Sequence, residues 1–194
     1  MSQEIDSRDI FLKGKHVFLK ALTREDAITS DWYGWFNDEE LCNTLQKHYF
    51  PSTCESQVNF WEQNIFNASN KIQLGVCPLK GGPIIGIVSL NDIDFINRKA
   101  EFSAVIGDRK SQNLIIFTEA CKLLFRHGFN SLNLNRIYGG SISNDLVMLM
   151  CRILNCKREG VLRQEIYKNG MYHDCYLYSV LREDFIHLSM DYGS

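Results

Sequence analysis

The sequence lacks the features that would assign it to a specialised class of protein. Its 194 residues contain no internal repeat, no linker and no apolar run approaching the length of a membrane span. The net charge of -2 is not the basic balance of a nucleic-acid-binding protein. The polar, acidic start over residues 1–6 is neither a signal peptide nor a transit peptide. A small-molecule partner is therefore the default expectation, with no nucleic acid and no membrane.

The seven cysteines form no recognisable framework. Their number is odd, no two are spaced CxxC, and the nearest pair, Cys151 and Cys156, has no histidine at zinc spacing. Free thiols in a reducing cytosol are the simplest explanation. We therefore expect a cytoplasmic protein without a metal site.

What the chain does contain is an average globular composition. Apolar residues make up 45% and charged residues 23% of the sequence, which excludes a disordered chain. Residues 1–14 show little pattern and are predicted to form a loose arm. Regular patterns begin at Lys15 and continue without a change of composition. Residues 15–194 are therefore predicted to form one α/β domain with a mostly antiparallel sheet.

Apolar periodicity and turn signals predict the order of the elements. Strands are expected at residues 16–22, 72–79, 84–92, 100–107, 135–142, 161–167 and 172–181. Helices are expected after a Thr23 cap, from Asn37 to Leu45, from Ser52 to Phe66, from Gln112 to His127 and from Asn144 to Leu154. Asn169-Gly170, between the last two strands, is typical of a hairpin turn.

Several short motifs occur within this order of elements. They are Trp35-Phe36-Asn37-Asp38-Glu39, Asn97-Arg98-Lys99-Ala100-Glu101, Thr118-Glu119-Ala120, Leu132 to Ile137, Arg158 to Arg163, and Tyr178 to Arg182. Together they resemble the GNAT acetyltransferases, particularly the branch of ribosomal-protein and amino-sugar N-acetyltransferases. The resemblance implies the GNAT fold, a mixed, mostly antiparallel sheet flanked by helices. That sheet would splay apart between its fourth and fifth strands, here residues 100–107 and 135–142.

The same resemblance implies that acetyl-CoA is the acyl donor and lies in the cleft between those two strands. Its pantetheine arm would add to the edge of the fourth strand, beside Val105 and Ile106, and its pyrophosphate would lie at the N-terminus of the next helix. Asn144 would bond the pantetheine arm, and the same side chain can cap the helix that it begins.

The phosphate-binding loop departs from the family's pattern. Alignment on the Thr-Glu-Ala motif assigns its six positions to Gln112, Asn113, Leu114, Ile115, Ile116 and Phe117. Ile115 and Phe117 stand where small residues belong, and their bulk should obstruct the approach of phosphates to the backbone. The alternative is that residues 114–117 are the buried first turn of an amphipathic helix. Arg109, Lys110 and Ser111, just upstream, are further candidates for phosphate contacts.

Glu101 is the leading catalytic candidate. Several family members have a glutamate general base at this place, and partial burial would raise a carboxylate's pKa toward neutrality. Glu101 could equally be a surface residue paired with Arg98 or Lys99. The family's general acid is often a tyrosine, and alignment places Cys151 at its position. Cys151 could equally be a small core residue, and Tyr138 is a substitute acid.

The acceptor site is expected in the first helical region, the loop after it and the last hairpin. Flat aromatic surfaces with a few polar groups suit a cationic amine on a sugar ring or a nucleobase. The candidate residues are Trp35, Asn37, Asp38, His48, Tyr49 and Asp92. An aromatic cluster at helical spacing can equally belong to the core.

These observations predict an acetyl-CoA-dependent N-acetyltransferase that acts on a primary amine, namely an amino sugar of a nucleotide-linked sugar. The amine would attack the thioester directly. Two alternatives stay open: acetylation of a protein N-terminus, and a non-catalytic binding protein of this fold, which the missing loop glycines suggest. A homodimer also stays open.

Overall fold

The computed structural model describes residues 7–190, which contain one sheet of eight strands. The strands are β1 (Leu12–Lys13), β2 (Val17–Ala21), β3 (Ile72–Pro78), β4 (Gly86–Asp94), β5 (Lys99–Ile106), β6 (Arg136–Ser141), β7 (Lys157–Lys168) and β8 (Met171–Leu181). The helices are α1 (Arg24–Thr29), α2 (Trp32–Trp35), α3 (Cys54–Trp61), α4 (Leu114–Asn130), α5 (Asn144–Leu154) and α6 (Arg182–Met190). The spatial order of the strands is β1-β2-β3-β4-β5-β6-β8-β7.

The sheet is mixed and mostly antiparallel. All neighbouring strands are antiparallel except β5 and β6, which run parallel. Side chains alternate between its faces, so Val88 and Leu90 pack in one apolar cluster with α4 and α5, while Ile87 packs in a second with α1, α2 and α3. The predicted fold class, a mostly antiparallel mixed sheet flanked by helices, is confirmed.

The strands β5 and β6 stay together for only three residue pairs. The last pair joins Glu101 to Tyr138, after which β5 continues to Ile106 and β6 to Ser141 without pairing to each other. This confirms the predicted splay between the fourth and fifth strands of the sequence analysis, now β5 and β6. The gap leaves one edge of β5 open along its second half.

The helices beside this gap begin at polar caps. The Asn113 side chain accepts a hydrogen bond from the Ile116 amide at 2.9 Å at the start of α4. Ser143 caps α5, because its hydroxyl accepts a hydrogen bond from the Leu146 amide at 3.2 Å. The prediction that Asn144 caps this helix is therefore wrong, since the serine one residue earlier already satisfies the exposed amide.

The N-terminal segment is tied to the sheet over its described part. The strand β1 pairs with β2. The Glu119 carboxylate, on α4, accepts hydrogen bonds from the amides of Lys15, His16 and Val17 at 2.5, 2.8 and 3.2 Å. Leu12 and Lys13 therefore belong to the sheet rather than to a loose arm, because strand pairing supplies contacts that their short sequence does not signal. Residues 1–6 of the predicted arm lie outside the described residues.

Two helix predictions before β3 need correction. Residues 37–45 form successive turns and no helix. Asn37 does not cap a helix, because its amide group is bonded in both directions to the main chain of Ser52, at 2.7 Å each. The next helix, α3, is capped by Thr53, whose hydroxyl accepts from the Ser56 amide, rather than by Ser52.

The predicted hairpin turn is confirmed. Asn169 and Gly170 join β7 to β8 with φ angles of 51° and 81°. Both angles lie in the left-handed region that asparagine and glycine tolerate best. The turn makes β7 and β8 a long hairpin at the edge of the sheet, beyond the cleft strands.

The cysteines form no disulfide bonds among the described residues. Within residues 7–190 all seven cysteines are free thiols. Burial raises the pKa of Cys77 and of Cys156 to about 12, which makes both thiols unreactive.

Among the described helices, none is long and apolar enough to cross a membrane.

Candidate active site

The gap between β5 and β6 opens into a cleft of about 790 Å³. The second half of β5 forms one wall, and the start of α4, the end of β6 and α5 form the rest. Six of the predicted cofactor-binding residues line it, namely Val105, Ile106, Gln112, Asn113, Leu114 and Phe117. The splayed strands therefore bring most of that predicted set together around one cavity.

Three predicted cofactor-binding residues lie outside this lining. Ile115 turns away and is 61% exposed, while Ile116 packs half-buried against the core. Phe117 is the bulky loop residue that does line the cleft. The first turn of α4 is thus partly exposed, so the buried-turn alternative describes Ile116 and Phe117 but not Ile115.

Asn144 is the third of these residues, and its side chain has an unusual environment. Its neighbours Ser141 and Leu146 line the cleft. The Asn144 Oδ1 atom is buried and has no hydrogen-bond partner among residues 7–190. A buried carbonyl oxygen without a partner costs free energy, so this atom calls for a donor from outside the described chain.

The polar residues ahead of α4 already have partners. The Arg109 guanidinium donates to both carboxylate oxygens of Asp38, at 2.7 and 2.9 Å from Nη2, and to Glu40 at 2.8 Å. The Ser111 hydroxyl donates to Asp108. Arg109 and Glu40 both line the cleft, so this ion-pair network ties the turns after α2 to the start of α4. Phosphate contacts by Arg109 or Ser111 would require these bonds to be exchanged.

Glu101 holds the last paired position of β5, where the gap begins, and precedes Phe102, the first residue of β5 that lines the cleft; Glu101 itself is not part of that lining. Its pKa is raised, first by partial burial of the carboxylate and second by the negative charge of Asp92. Asp92 lies at the β-bulge of β4, next to Asn91, which is paired with Glu101. The predicted surface pairing of Glu101 with Arg98 or Lys99 is absent among the described ion pairs, and Arg98 instead bonds Asn133.

The two predicted acids do not line the cleft. Tyr138 is paired with Glu101, and its pKa is raised by burial and by the charges of Glu101 and Asp92. Cys151 is half-buried against the first apolar cluster, and burial raises the pKa of its thiol. Cys151 thus has the environment of the core alternative, while Tyr138 lies beside the candidate base.

The family profile described as "Acetyltransferase (GNAT) domain" matches residues 16–145. The chain belongs to the GNAT acetyltransferases. The matched segment runs from the start of β2 into α5, and so contains the splayed strands, the start of α4 and Glu101.

The known proteins that resemble this chain are named for different acceptors. "Putative ribosomal N-acetyltransferase YdaF" of Bacillus subtilis is 32% identical over 117 residues, which cover 60% of this chain and 62% of YdaF. The match thus spans less than two thirds of YdaF. Spermidine N(1)-acetyltransferase of Escherichia coli K12 is 25% identical over 147 residues, 74% of this chain and 77% of that protein.

Solved GNAT structures have the same fold. Spermidine N-acetyltransferase from Vibrio cholerae, in complex with CoA and spermine, superposes with a TM-score of 0.79 at 21% identity, covering 89% of this chain and 99% of that one. RimL, the ribosomal L7/L12 alpha-N-protein acetyltransferase in complex with CoA, gives 0.77 at 19% identity, covering 89% and 97%. At these identities the likeness shows the fold.

Most predicted acceptor residues of this GNAT protein have structural partners. Trp35 is 6% exposed and packs in the second apolar cluster, and Asn37 clamps the main chain of Ser52. Asp38 binds Arg109, and the His48 ring bonds the Phe36 carbonyl at 3.1 Å. The Tyr49 hydroxyl donates to the Tyr167 carbonyl at 3.1 Å. Most of these side chains therefore hold in place the loop of residues 36–53, between α2 and α3. Asp92 lies apart from them, near Glu101.

Lys168 is a residue of this region that the sequence interpretation missed. Its side chain is 6% exposed, and its ammonium donates to the carbonyls of Cys42, Leu45 and Lys47 at 2.8, 2.7 and 3.1 Å. Leu45 and other residues of this loop between α2 and α3 line the cleft. The sequence pattern assigns Lys168 to the hairpin turn and gives no signal that it is buried, because its acceptors lie over 120 residues away in the chain.

Proposed function

We propose that this protein transfers the acetyl group of acetyl-CoA to the primary amine of a small cationic acceptor. The observation that carries the proposal is the gap between β5 and β6, which opens as a cleft directly beyond Glu101. Family membership supplies the donor, because acetyl-CoA is the acyl donor of the GNAT acetyltransferases. The acceptor is our own inference.

The residues of the cleft fit the arm of acetyl-CoA. The edge of β5 beyond Glu101 has no strand partner on its β6 side, and an extended amide-containing chain can bond to such an edge as an added strand. The Asn144 Oδ1 atom needs a donor, which the amide groups of the arm possess. Both features support a pantetheine arm that runs along β5 between Ser141 and Leu146 on one side and Val105 on the other.

The start of α4 fits the phosphates. The first amides of a helix have no partner within it, and the helix dipole adds a partial positive charge there. Asn113 uses only the Ile116 amide, which leaves the amides of Leu114 and Ile115 for an anion. The Ile115 side chain is exposed and does not line the cleft. The isoleucine that replaces the family's glycine at this position therefore does not fill the cavity.

Glu101 fits the role of general base. Its raised pKa strengthens it as a base toward an ammonium group. In the proposed reaction Glu101 takes one proton from the ammonium, the amine nitrogen forms a bond to the acetyl carbon, and the bond from carbon to sulfur breaks. The sulfur leaves with that electron pair and takes up the second proton, which the nitrogen loses as the amide forms. Glu101 then passes its proton to water.

The charges near Glu101 support a cationic acceptor. Asp92 and Glu101 place two carboxylates near each other at the point where β5 and β6 separate, and their negative charge attracts ammonium groups and repels phosphates. The relatives described above are named for spermidine or for ribosomal proteins, not for amino sugars. The predicted aromatic wall is also weaker support than expected, because Trp35 is buried. The nucleotide-linked amino sugar therefore stays a prediction, and a small polyamine has better support.

Calorimetric titration with acetyl-CoA, followed by measurement of thiol release, tests the proposal. We expect micromolar to submillimolar binding, and turnover with spermidine that exceeds turnover with a nucleotide-linked amino sugar or an N-terminal peptide. Glu101→Gln should lower turnover about 100-fold with little change in acetyl-CoA affinity. Asp31→Asn, which removes an exposed carboxylate elsewhere, is the control. The absence of binding at millimolar acetyl-CoA would instead support the non-catalytic alternative.

A further inference from the structure

The inner end of the cleft is the point where β5 and β6 separate. Beyond the pair Glu101 and Tyr138, the first residues that no longer pair with each other are Phe102 on β5 and Gly139 on β6. Tyr178, on β8, is paired with Gly139 and lines the cleft although it is only 7% exposed. Its ring therefore lies under the gap, at the end of the cleft that is formed by the separating strands.

Gly139 makes room for the Tyr178 hydroxyl. A methyl carbon on Gly139 would lie 2.6 Å from that hydroxyl oxygen and 2.8 Å from Cζ, closer than real contacts allow. The same point is 3.3 Å from the Phe102 carbonyl oxygen. The phenol therefore crosses the vacant side of Gly139, and its hydroxyl ends beside Gly139, where β5 and β6 begin to separate.

Tyr178 is buried in a mainly apolar part of the molecule. Phe102 and Met150 line the cleft together with Tyr178, and Tyr178 itself packs in the first apolar cluster. Hydrogen bonds are strengthened where water is excluded. Burial also raises the pKa of Tyr178 well above its usual value, so the hydroxyl keeps its proton at every working pH. A phenol this hard to deprotonate can donate a hydrogen bond but is a poor source of a proton for a thiolate.

Tyr178 differs in position from both acids that the sequence suggested. Neither Tyr138 nor Cys151 lines the cleft. Tyr138 precedes Gly139 on β6, so its side chain lies on the opposite face of the sheet from Tyr178, which packs over Gly139. Of the three candidates, only Tyr178 lines the cleft.

We propose that Tyr178 is a catalytic residue whose hydroxyl donates a hydrogen bond to the carbonyl oxygen of the acetyl thioester. This inference rests on the proposed acetyl transfer. If phosphates bind at the start of α4, the arm runs inward from there and its acetyl end reaches the gap beside Gly139. A carbonyl oxygen is a far better acceptor for a phenol than a thioester sulfur. Negative charge develops on that oxygen when the amine attacks, and a fixed donor in an apolar site stabilises this charge.

The test uses Tyr178→Phe, which removes the hydroxyl and keeps the ring. We expect turnover to fall about 100-fold, the size typical of a lost donor to a developing oxyanion. The pH profile should keep its shape, because Tyr178 does not titrate in the working range. The matched control is Tyr176→Phe, on the same strand and face, since Tyr176 packs against the same cluster without lining the cleft.

A second measurement is independent of turnover. The infrared carbonyl stretch of acetyl-CoA labelled with ¹³C at the carbonyl should move to lower frequency on binding to the wild type. This shift should be lost in Tyr178→Phe and kept in Tyr176→Phe. If the wild-type protein shows no shift on binding, or if Tyr178→Phe keeps both the shift and the turnover, the proposal is overturned. Failure of the wild type to bind acetyl-CoA would overturn both this proposal and the proposed function, and calorimetry identifies that case.

Discussion

Gly107 lies directly against the indole ring of Trp35: a methyl carbon on Gly107 would be only 1.9 Å from the ring atom Cδ2. Trp35 is buried in the second apolar cluster and cannot move away freely. We expect Gly107→Ala to lower the free energy of unfolding by about 1–3 kcal/mol, because the enlarged residue overpacks the core. Urea denaturation measures this change.

Gly160→Ala provides the matched control for this substitution. A methyl group on Gly160 meets no atom within 4 Å, so we expect a change within about 0.5 kcal/mol. Equal stability of the Gly107→Ala protein and the wild type would show that Trp35 is not held as the structure indicates.

Asp92 should set the acidic limb of the activity profile. The pKa of Glu101 is raised by burial and by the charge of Asp92, and the base works only when it is deprotonated. Activity should therefore rise as pH increases through this raised pKa. Asp92→Asn removes the second cause, so the limb should move to lower pH. The pH dependence of kcat/KM checks this, with Asp31→Asn expected to leave the limb in place.

Arg136 and Glu159 should contribute to stability in a pH-dependent way. The hydrogen bond from Arg136 is the main cause that lowers the pKa of Glu159 to about 2, from its usual value of 4.5. A lowered pKa means that the contribution is fully present above 4.5 and is lost as pH falls toward 2. Because the Glu159 side chain is 35% exposed, we expect Glu159→Gln to cost only about 1 kcal/mol at pH 7.

Chemical denaturation at a series of pH values checks this expectation. The difference between Glu159→Gln and the wild type should shrink as pH falls below 4.5. Glu165→Gln, on an exposed part of the same strand, is the control. A difference that stays constant down to pH 2 would argue against the ion pair as its cause.

Lys168 should hold the loop beside the cleft. Lys168→Met removes a donor shared by three carbonyl groups, so we expect a loss of about 1–3 kcal/mol in the free energy of unfolding. Because residues of this loop line the cleft, KM for the amine should rise more than kcat falls. Steady-state kinetics and denaturation measure the two effects, and Lys80→Met, at an exposed turn, is the control. Unchanged KM would limit Lys168 to a structural role.

Asp38 should hold Arg109 away from phosphates. The Arg109 guanidinium is bonded to Asp38 and Glu40 at the mouth of the cleft. Asp38→Asn weakens this ion pair, so Arg109 becomes available for the anionic end of the donor. We expect CoA to bind a few-fold more tightly, with a gain that disappears at high salt because it is electrostatic. Calorimetry at two salt concentrations measures this, and weaker binding at low salt would contradict it.

Local patterns predicted most of the scaffold. Segments rich in Ile and Val indicated β4 and β5, and the Asn169-Gly170 pair indicated the hairpin, because such signals depend only on neighbours in the chain. The errors occurred at caps and at short elements. Asn37 reads as a helix cap, yet its side chain bonds Ser52, a partner that no local pattern reveals.

The sequence by itself determined the mixed sheet, its splay between β5 and β6 and the place of Glu101, because strand periodicity and family motifs are written in consecutive residues. Only the tertiary structure decided which side chains meet at the cleft. In the folded protein Trp35 packs in the core, Lys168 bonds the carbonyls of the loop between α2 and α3, and the Tyr178 hydroxyl lies over Gly139. These contacts join segments far apart in the chain, and their geometry follows from how the sheet and helices pack together rather than from any local pattern.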